Sequence, residues 1–111
     1  MLSNTNVKDI SALARLRNLK KLCMYNMKGK DISKVAGLKN LQYLNLSNTQ
    51  VQDVTKLGGL ENLHFLNLNN TEVKDVSSLA GLKNLQVLWL YNTEVDDVTV
   101  LAGIPHLQIY R

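Results

Sequence analysis

The sequence lacks the features that stabilise small, cross-linked proteins. It contains one cysteine, Cys23, so no disulfide can form within the chain. At 111 residues the chain can bury a core without a disulfide or a metal. It also lacks a signal-like start and any apolar run near the ~18 residues needed to cross a bilayer. We therefore expect a soluble protein with a single domain over residues 1–111, and the compartment remains open.

Acidic residues are scarce in the first third of the chain. Residues 1–39 carry nine basic residues against two aspartates, a net charge of +7, whereas residues 40–111 carry four against seven, a net charge of −3. A basic end can steer acidic partners, although most such imbalances only aid solubility. The later acidic residues argue against a continuous track for phosphates, so nucleic acid is a disfavoured partner.

The sequence repeats every 22 residues. One column is asparagine, and its members are Asn4, Asn26, Asn48, Asn70 and Asn92. Aspartate and several apolar columns follow the same period, and one apolar column comprises Leu22, Leu44, Leu66, Leu88 and Tyr110. Within a unit, Leu44 and Leu46 alternate with polar residues, as in a strand with one buried face. One strand per unit predicts parallel pairing with a crossover between successive strands.

The unit from Leu41 to Asn48, Leu-Gln-Tyr-Leu-Asn-Leu-Ser-Asn, fits the leucine-rich-repeat pattern. Its continuation from Thr49 to Leu60 resembles the 22-residue class typical of bacterial internalin-like proteins. The resemblance covers essentially the whole chain. It implies an α/β repeat solenoid of about five units, with a concave parallel β-sheet, short 3₁₀ or helical turns on the convex side, and no distinct caps. It does not specify a function, because the family is a scaffold for many partners.

Two polar columns have predicted structural roles. We expect the asparagine amide to be buried and to bond the backbone where each strand turns. We expect the Ser/Thr column to provide N-caps for short turns that end near the glycine column, which comprises Gly37, Gly59, Gly81 and Gly103. The aspartate column is better suited to turn and N-terminal capping than to binding a row of cations.

Aromatic residues concentrate on one predicted surface. Of six, only Tyr110 falls in a core column, and the other five fall in columns that point outward from the sheet. Exposed aromatics beside polar groups are typical of binding surfaces, although rings on neighbouring strands also stiffen a sheet. We predict a protein-binding face, and its partner-binding residues are Tyr25, Tyr43, Asn45, His64, Phe65, Asn67, Asn69, Trp89 and Tyr91.

No catalytic or metal-binding pattern is present, so we predict neither enzymatic activity nor a cofactor. Cys23 and His64 fall two strands apart, hence ~10 Å, which is too far for a nucleophile and its base. Cys23 is accordingly interpreted as an ordinary surface residue.

The first and last units begin and end within equivalent strands. Two chains stacked head to tail would therefore continue the repeat in register. Besides a binding module, the sequence leaves open a self-assembling repeat and an engineered scaffold with no dedicated ligand.

Overall fold

The computed structural model describes residues 18–24, 32–33 and 35–111. Each repeat contributes one strand of three residues, and the strands are β1 Lys21–Cys23, β2 Tyr43–Asn45, β3 Phe65–Asn67, β4 Val87–Trp89 and β5 Gln108–Tyr110. All pair in parallel and in sequence order, β1-β2-β3-β4-β5. The predicted solenoid with one strand per repeat is confirmed.

Short 3₁₀ turns lie on the crossovers between strands, as predicted. They span Val35–Gly37, Thr55–Gly59, Ser77–Gly81 and Thr99–Leu101. At Thr55, Ser77 and Thr99 the predicted capping is wrong, because each of these residues is the first of its 3₁₀ turn and the N-cap position before it is a valine. Instead the preceding aspartate accepts the backbone N–H two residues on, as in Asp75 Oδ1 to Ser77 N at 2.8 Å.

Leucine and valine columns fill the space between the sheet and the turns. Leu44, Leu66 and Leu88 are fully buried. Each fully buried leucine side chain contributes roughly 1.5–3 kcal/mol, so the repeated columns supply most of the driving force for folding. The buried polar residues of the described part are Thr49 and Thr71, whose hydroxyls donate to the carbonyls of Leu46 and Leu68 at 2.7 Å.

The asparagine column is exposed, so the predicted buried amide is wrong, and the one amide contact between its described members is from Asn92 Nδ2 to Asn70 Oδ1 at 2.7 Å. Asn48, Asn70 and Asn92 have φ values of 57°, 59° and 57° and are exposed. Asparagine is one of the few side chains that tolerate this left-handed conformation. The turn lets the N–H of Asn48 donate to the carbonyl of Asn69 in the next repeat, at 3.0 Å.

The fifth strand departs from the 22-residue register. Leu88 pairs with Ile109 and Trp89 pairs with Tyr110, whereas the repeat predicts Leu88 opposite Tyr110. The turn before β5 contains His106 at φ 61°, a conformation absent from the corresponding position of the preceding described repeats. The slip packs Ile109 against the core and leaves Tyr110 40% exposed. The predicted core position of Tyr110 is therefore wrong, because the slip turns the aliphatic Ile109 towards the core and leaves the phenol hydroxyl solvated.

Candidate functional site

The candidate site is the sheet face, defined as the side of β1–β5 turned away from the leucine core. Two rows of side chains run across it in register. The first row is Lys21, Tyr43, Phe65, Val87 and Gln108, and the second is Cys23, Asn45, Asn67, Trp89 and Tyr110. Ser47, Asn69 and Tyr91 follow the strands. Because parallel strands lie ~4.8 Å apart, neighbours within a row are in contact range.

One end of the sheet face carries a cluster of rings with a cation. The Tyr43 and Phe65 ring centroids are 6.1 Å apart with a 42° interplanar angle, and Lys21 Nζ lies 4.9 Å from the Tyr43 centroid. An ammonium over an aromatic face is attracted by the ring quadrupole. Burial, and after it the neighbouring Cys23, raises the pKa of Tyr43 above its ordinary value of 10.0, so the phenol is neutral at physiological pH.

His64 extends this cluster with a fixed polar group. Its ring centroid is 6.4 Å from that of Phe65. Its Nδ1 lies 2.6 Å from the carbonyl oxygen of Asn62. Because a carbonyl can only accept, Nδ1 carries the proton and donates to it. When the imidazole is neutral, Nε2 is therefore the acceptor that His64 offers to a ligand.

The other end of the sheet face carries a stacked pair. The Trp89 and Tyr110 ring centroids are 6.2 Å apart at an interplanar angle of 20°. The Tyr110 hydroxyl donates to Gln108 Oε1 at 3.0 Å, which fixes the phenol ring against the indole. Tyr91 lies beyond Trp89 and is 47% exposed. Together these rings form an amphipathic surface, with apolar area and polar edges.

Asparagines lie on and beside the strands between the two aromatic groups, and their amide oxygens are used within the protein. Asn45 Oδ1 accepts the N–H of Ser47, and Asn67 Oδ1 accepts that of Asn69, both at 2.9 Å. Asn69 Oδ1 accepts the N–H of Tyr91 at 2.8 Å. These bonds fix the amide planes, so the Nδ2 amino group is the part of each side chain that can donate to a ligand.

The structure brings most of the predicted site residues together on the sheet face. Tyr43, His64 and Phe65 form one cluster, while Trp89 and Tyr91 lie at the other end. Tyr25 lies outside the described residues. Tyr110 was missed, because its position depends on the one-residue slip of β5.

The burial of Cys23 differs from the prediction made from the sequence. It is 5% exposed and thus buried, not an ordinary surface residue. It occupies an outward position on β1, opposite Asn45 of β2. Its strand is two removed from that of His64, as predicted.

A crevice on the flank of the solenoid offers little chemistry. It encloses about 560 Å³ and is lined by Lys74, Asp75, Ser77, Glu94, Asp96, Asp97 and Val100. Hydrogen bonds from Ser77 and Thr99 lower the pKa values of Asp75 and Asp97, so both carboxylates are already engaged in capping. Across residues 18–24, 32–33 and 35–111, no group of His, Cys, Asp and Glu is arranged to hold a metal ion. In the same ranges, no helix has the length and hydropathy of a membrane span.

The chain belongs to the leucine-rich-repeat family, because the family model for Leucine Rich repeats (2 copies) matches residues 39–81 and 61–103. Proteins of this family generally mediate protein–protein interaction and typically act as non-enzymatic scaffolds. No curated protein matches the chain. Among solved structures, 174 chains match it.

Three solved structures illustrate these similarities. Internalin C2 of Listeria monocytogenes is 34% identical with a TM-score of 0.83, and the match covers 94% of this chain and 46% of that one. A leucine-rich-repeat protein of Leptospira interrogans is 25% identical with a TM-score of 0.78, covering 93% and 28% of the two chains. The ectodomain of the Arabidopsis thaliana receptor kinase GASSHO1/SCHENGEN3 shares the fold at 23% identity and a TM-score of 0.75, covering 87% and 13%. The chain thus spans about half the length of the internalin C2 structure and a smaller share of the other two.

Proposed function

We propose that the chain is a protein-binding module that holds its partner on the sheet face. The aromatic anchors are Tyr43, Phe65, Trp89 and Tyr91, with Tyr25 as a further anchor predicted from the sequence. The polar contacts are Asn45, His64, Asn67 and Asn69. Binding would act by occupancy, as adhesion, docking or inhibition of the partner.

The segregation of aromatic from aliphatic residues carries this proposal. In the described part of the chain the buried hydrophobic residues are Leu, Ile, Val, Met and Cys, without a single ring. The described rings instead lie on or beside the sheet face, half-buried or exposed. A core built from leucine gives no reason for this arrangement, whereas Trp and Tyr are common energetic anchors of interfaces.

The rigidity of the sheet face also favours binding. Ring pairs and tethered amides already fix many of its side chains, so less conformational entropy is lost on association. Among proteins of the same fold, the GASSHO1/SCHENGEN3 ectodomain was solved in complex with CASPARIAN STRIP INTEGRITY FACTOR 2. That complex supports the use of this fold for recognition.

The ring pairs also suit a purely structural role, in which they stiffen the sheet. A double variant, Phe65→Ala with Trp89→Ala, separates the two roles. A partner is captured by unbiased pull-down, and its Kd is measured by biolayer interferometry for the native chain, the double variant and Val100→Ala. Val100 is the control because it is 44% exposed on a crossover, away from the sheet face.

For binding anchors, the double variant should weaken the Kd by about 30-fold or more, since truncating a hot-spot residue costs ~2 kcal/mol or more. Val100→Ala should leave the Kd unchanged, and the melting temperature of the double variant should fall only slightly. An unaltered Kd together with a much lower melting temperature would show that the rings serve the fold alone.

A further inference from the structure

Acidic residues are excluded from the sheet face. The described chain contains seven, and all lie on the crossovers: Asp53, Glu61, Glu72, Asp75, Glu94, Asp96 and Asp97. The strand segments 18–24, 41–47, 63–69, 85–91 and 107–111 contain none. The sheet face and the flanks of the solenoid thus differ in acidic as well as in aromatic content.

Positive charge on the sheet face is concentrated at one end. Lys21 lies on β1 over the Tyr43 ring, and Lys20 directly precedes it. The basic residue at the other end, Arg111, donates from Nη1 to the carbonyl of Asp96 at 3.2 Å. Arg111 is therefore directed towards the acidic flank. The sheet face consequently has a cationic end at β1 and an aromatic end at Trp89 and Tyr110.

The spacing of the two ends sets the length of a matching ligand. β1 and β4 are three strand positions apart, which is about 14 Å at ~4.8 Å per strand. An extended peptide advances about 3.3 Å per residue, so four to five residues cover that distance. Between the ends, the amino groups of Asn45 and Asn67 can donate to the carbonyls of such a peptide, because their amide oxygens are already bonded.

Building on the proposed function, we infer that the sheet face recognises an extended acidic segment of a protein partner. The carboxylates of the segment bind Lys20 and Lys21. An apolar or aromatic side chain four to five residues away packs on the Trp89–Tyr110 pair. The described crossovers carry seven acidic residues against four lysines, Lys39, Lys56, Lys74 and Lys83. Their net negative charge repels the same segment and favours its binding on the sheet face.

Selection from a displayed library of random 12-residue peptides, panned on the full chain, tests this inference. Enriched sequences should place Asp or Glu four to five residues from Leu, Phe, Tyr or Trp. Synthetic peptides of the enriched sequences are then measured by fluorescence anisotropy. Inserting two glycines between the acidic and apolar residues should weaken binding several-fold, because the two ends would no longer fit together. No enrichment, or enrichment of basic peptides, would overturn the inference.

Charge-reversal variants test the role of the two lysines. The double variant Lys20→Glu with Lys21→Glu should bind the peptides at least tenfold more weakly. Raising the salt concentration should also weaken their binding to the native chain. The matched control is Lys56→Glu with Lys83→Glu, which reverses two exposed charges on crossovers and should change affinity less than twofold. Equal effects of the two pairs would overturn the acidic specificity.

Two further outcomes separate this inference from the proposed function. If Trp89→Ala abolishes peptide binding but charge reversal at Lys20 and Lys21 leaves the affinity unchanged, the acidic specificity is wrong and the proposed binding module stands. If neither change alters the affinity, both the inference and the proposed function are wrong. A single-stranded dT12 probe tests nucleic acid, and tighter binding of dT12 than of the peptides, lost steeply with salt, would also overturn the inference.

Discussion

Gly58 tests how tightly neighbouring repeats are packed. The equivalent positions of the other repeats are occupied by Ala14, Ala36, Ala80 and Ala102, so the repeat pattern itself suggests alanine. At Gly58, however, a Cβ atom would lie 2.7 Å from the backbone carbonyl oxygen of Ser78 in the next turn. Ordinary contact begins near 3.4 Å, so Gly58→Ala must push two packed turns apart. Since the obstacle is backbone, no rotamer change relieves it.

The expected cost follows from two opposing effects. Overpacking costs about 1–3 kcal/mol. Replacing glycine reduces the entropy of the unfolded chain and returns about 0.4–1 kcal/mol. We expect Gly58→Ala to lower the free energy of unfolding by about 1–2 kcal/mol, which corresponds to a melting temperature lower by roughly 5–10 °C.

Thermal and urea denaturation followed by circular dichroism measure this difference. The matched control is Gly81→Ala, because a Cβ at Gly81 has no atom within 4 Å. That variant should be neutral or slightly stabilised. A melting temperature of Gly58→Ala equal to or above that of the native chain would refute the reasoning, since the turns would then separate at no cost.

Two further predictions concern polar groups. Thr71→Val keeps the shape of a buried side chain but removes the 2.7 Å bond to the carbonyl of Leu68, so the urea midpoint should fall by the equivalent of about 1 kcal/mol; an unchanged midpoint would contradict this role. The pKa of Asp75 is lowered by its hydrogen bonds from Ser77, so the ionised carboxylate stabilises the fold at pH values above its ordinary pKa of 3.8. This contribution is lost as the pH falls through the lowered pKa. Melting temperature measured from pH 6 to 2 should decline less steeply for Asp75→Asn, and identical profiles would argue against this linkage.

The periodic columns predicted the fold well because each column has one physical environment. Leucines 22 residues apart occupy equivalent buried positions, as Leu44, Leu66 and Leu88 show. The same pattern correctly indicated parallel strands and short turns. Periodicity does not reveal whether a polar column works through its side chain or its backbone. Asn70 illustrates this, because it combines a left-handed φ with an exposed amide whose Oδ1 accepts from Asn92 Nδ2.

Positions where the repeat is broken were harder to predict. Pro105 and His106 replace Lys83 and Asn84 of the previous unit, and the resulting turn slips β5 by one residue. A one-residue slip reverses the face of every side chain in a strand. Such a slip depends on the geometry of one turn, which composition alone does not specify. It moved Tyr110 from the predicted core to the candidate site.

Burial of Cys23 is not determined by its own strand alone. Alternation within β1 correctly assigned this residue to the outward side, yet it is 5% exposed, because burial depends on how the rest of the fold covers a position. Similarly, the sequence predicted that aromatic residues share a face. It could not show that they form two separate groups, with Phe65 in one and Trp89 in the other.

Because the strands follow one another in sequence order, the number of repeats determines the distance between side chains on the sheet face. Each 22-residue unit adds one strand beside the last, so a duplicated or deleted unit would move two anchors apart or together by one ~4.8 Å step. The buried contacts of the remaining units would be preserved, because each unit packs mainly on its neighbours. The number of repeats between two anchors therefore sets the length of the ligand that fits, while every contact residue stays the same.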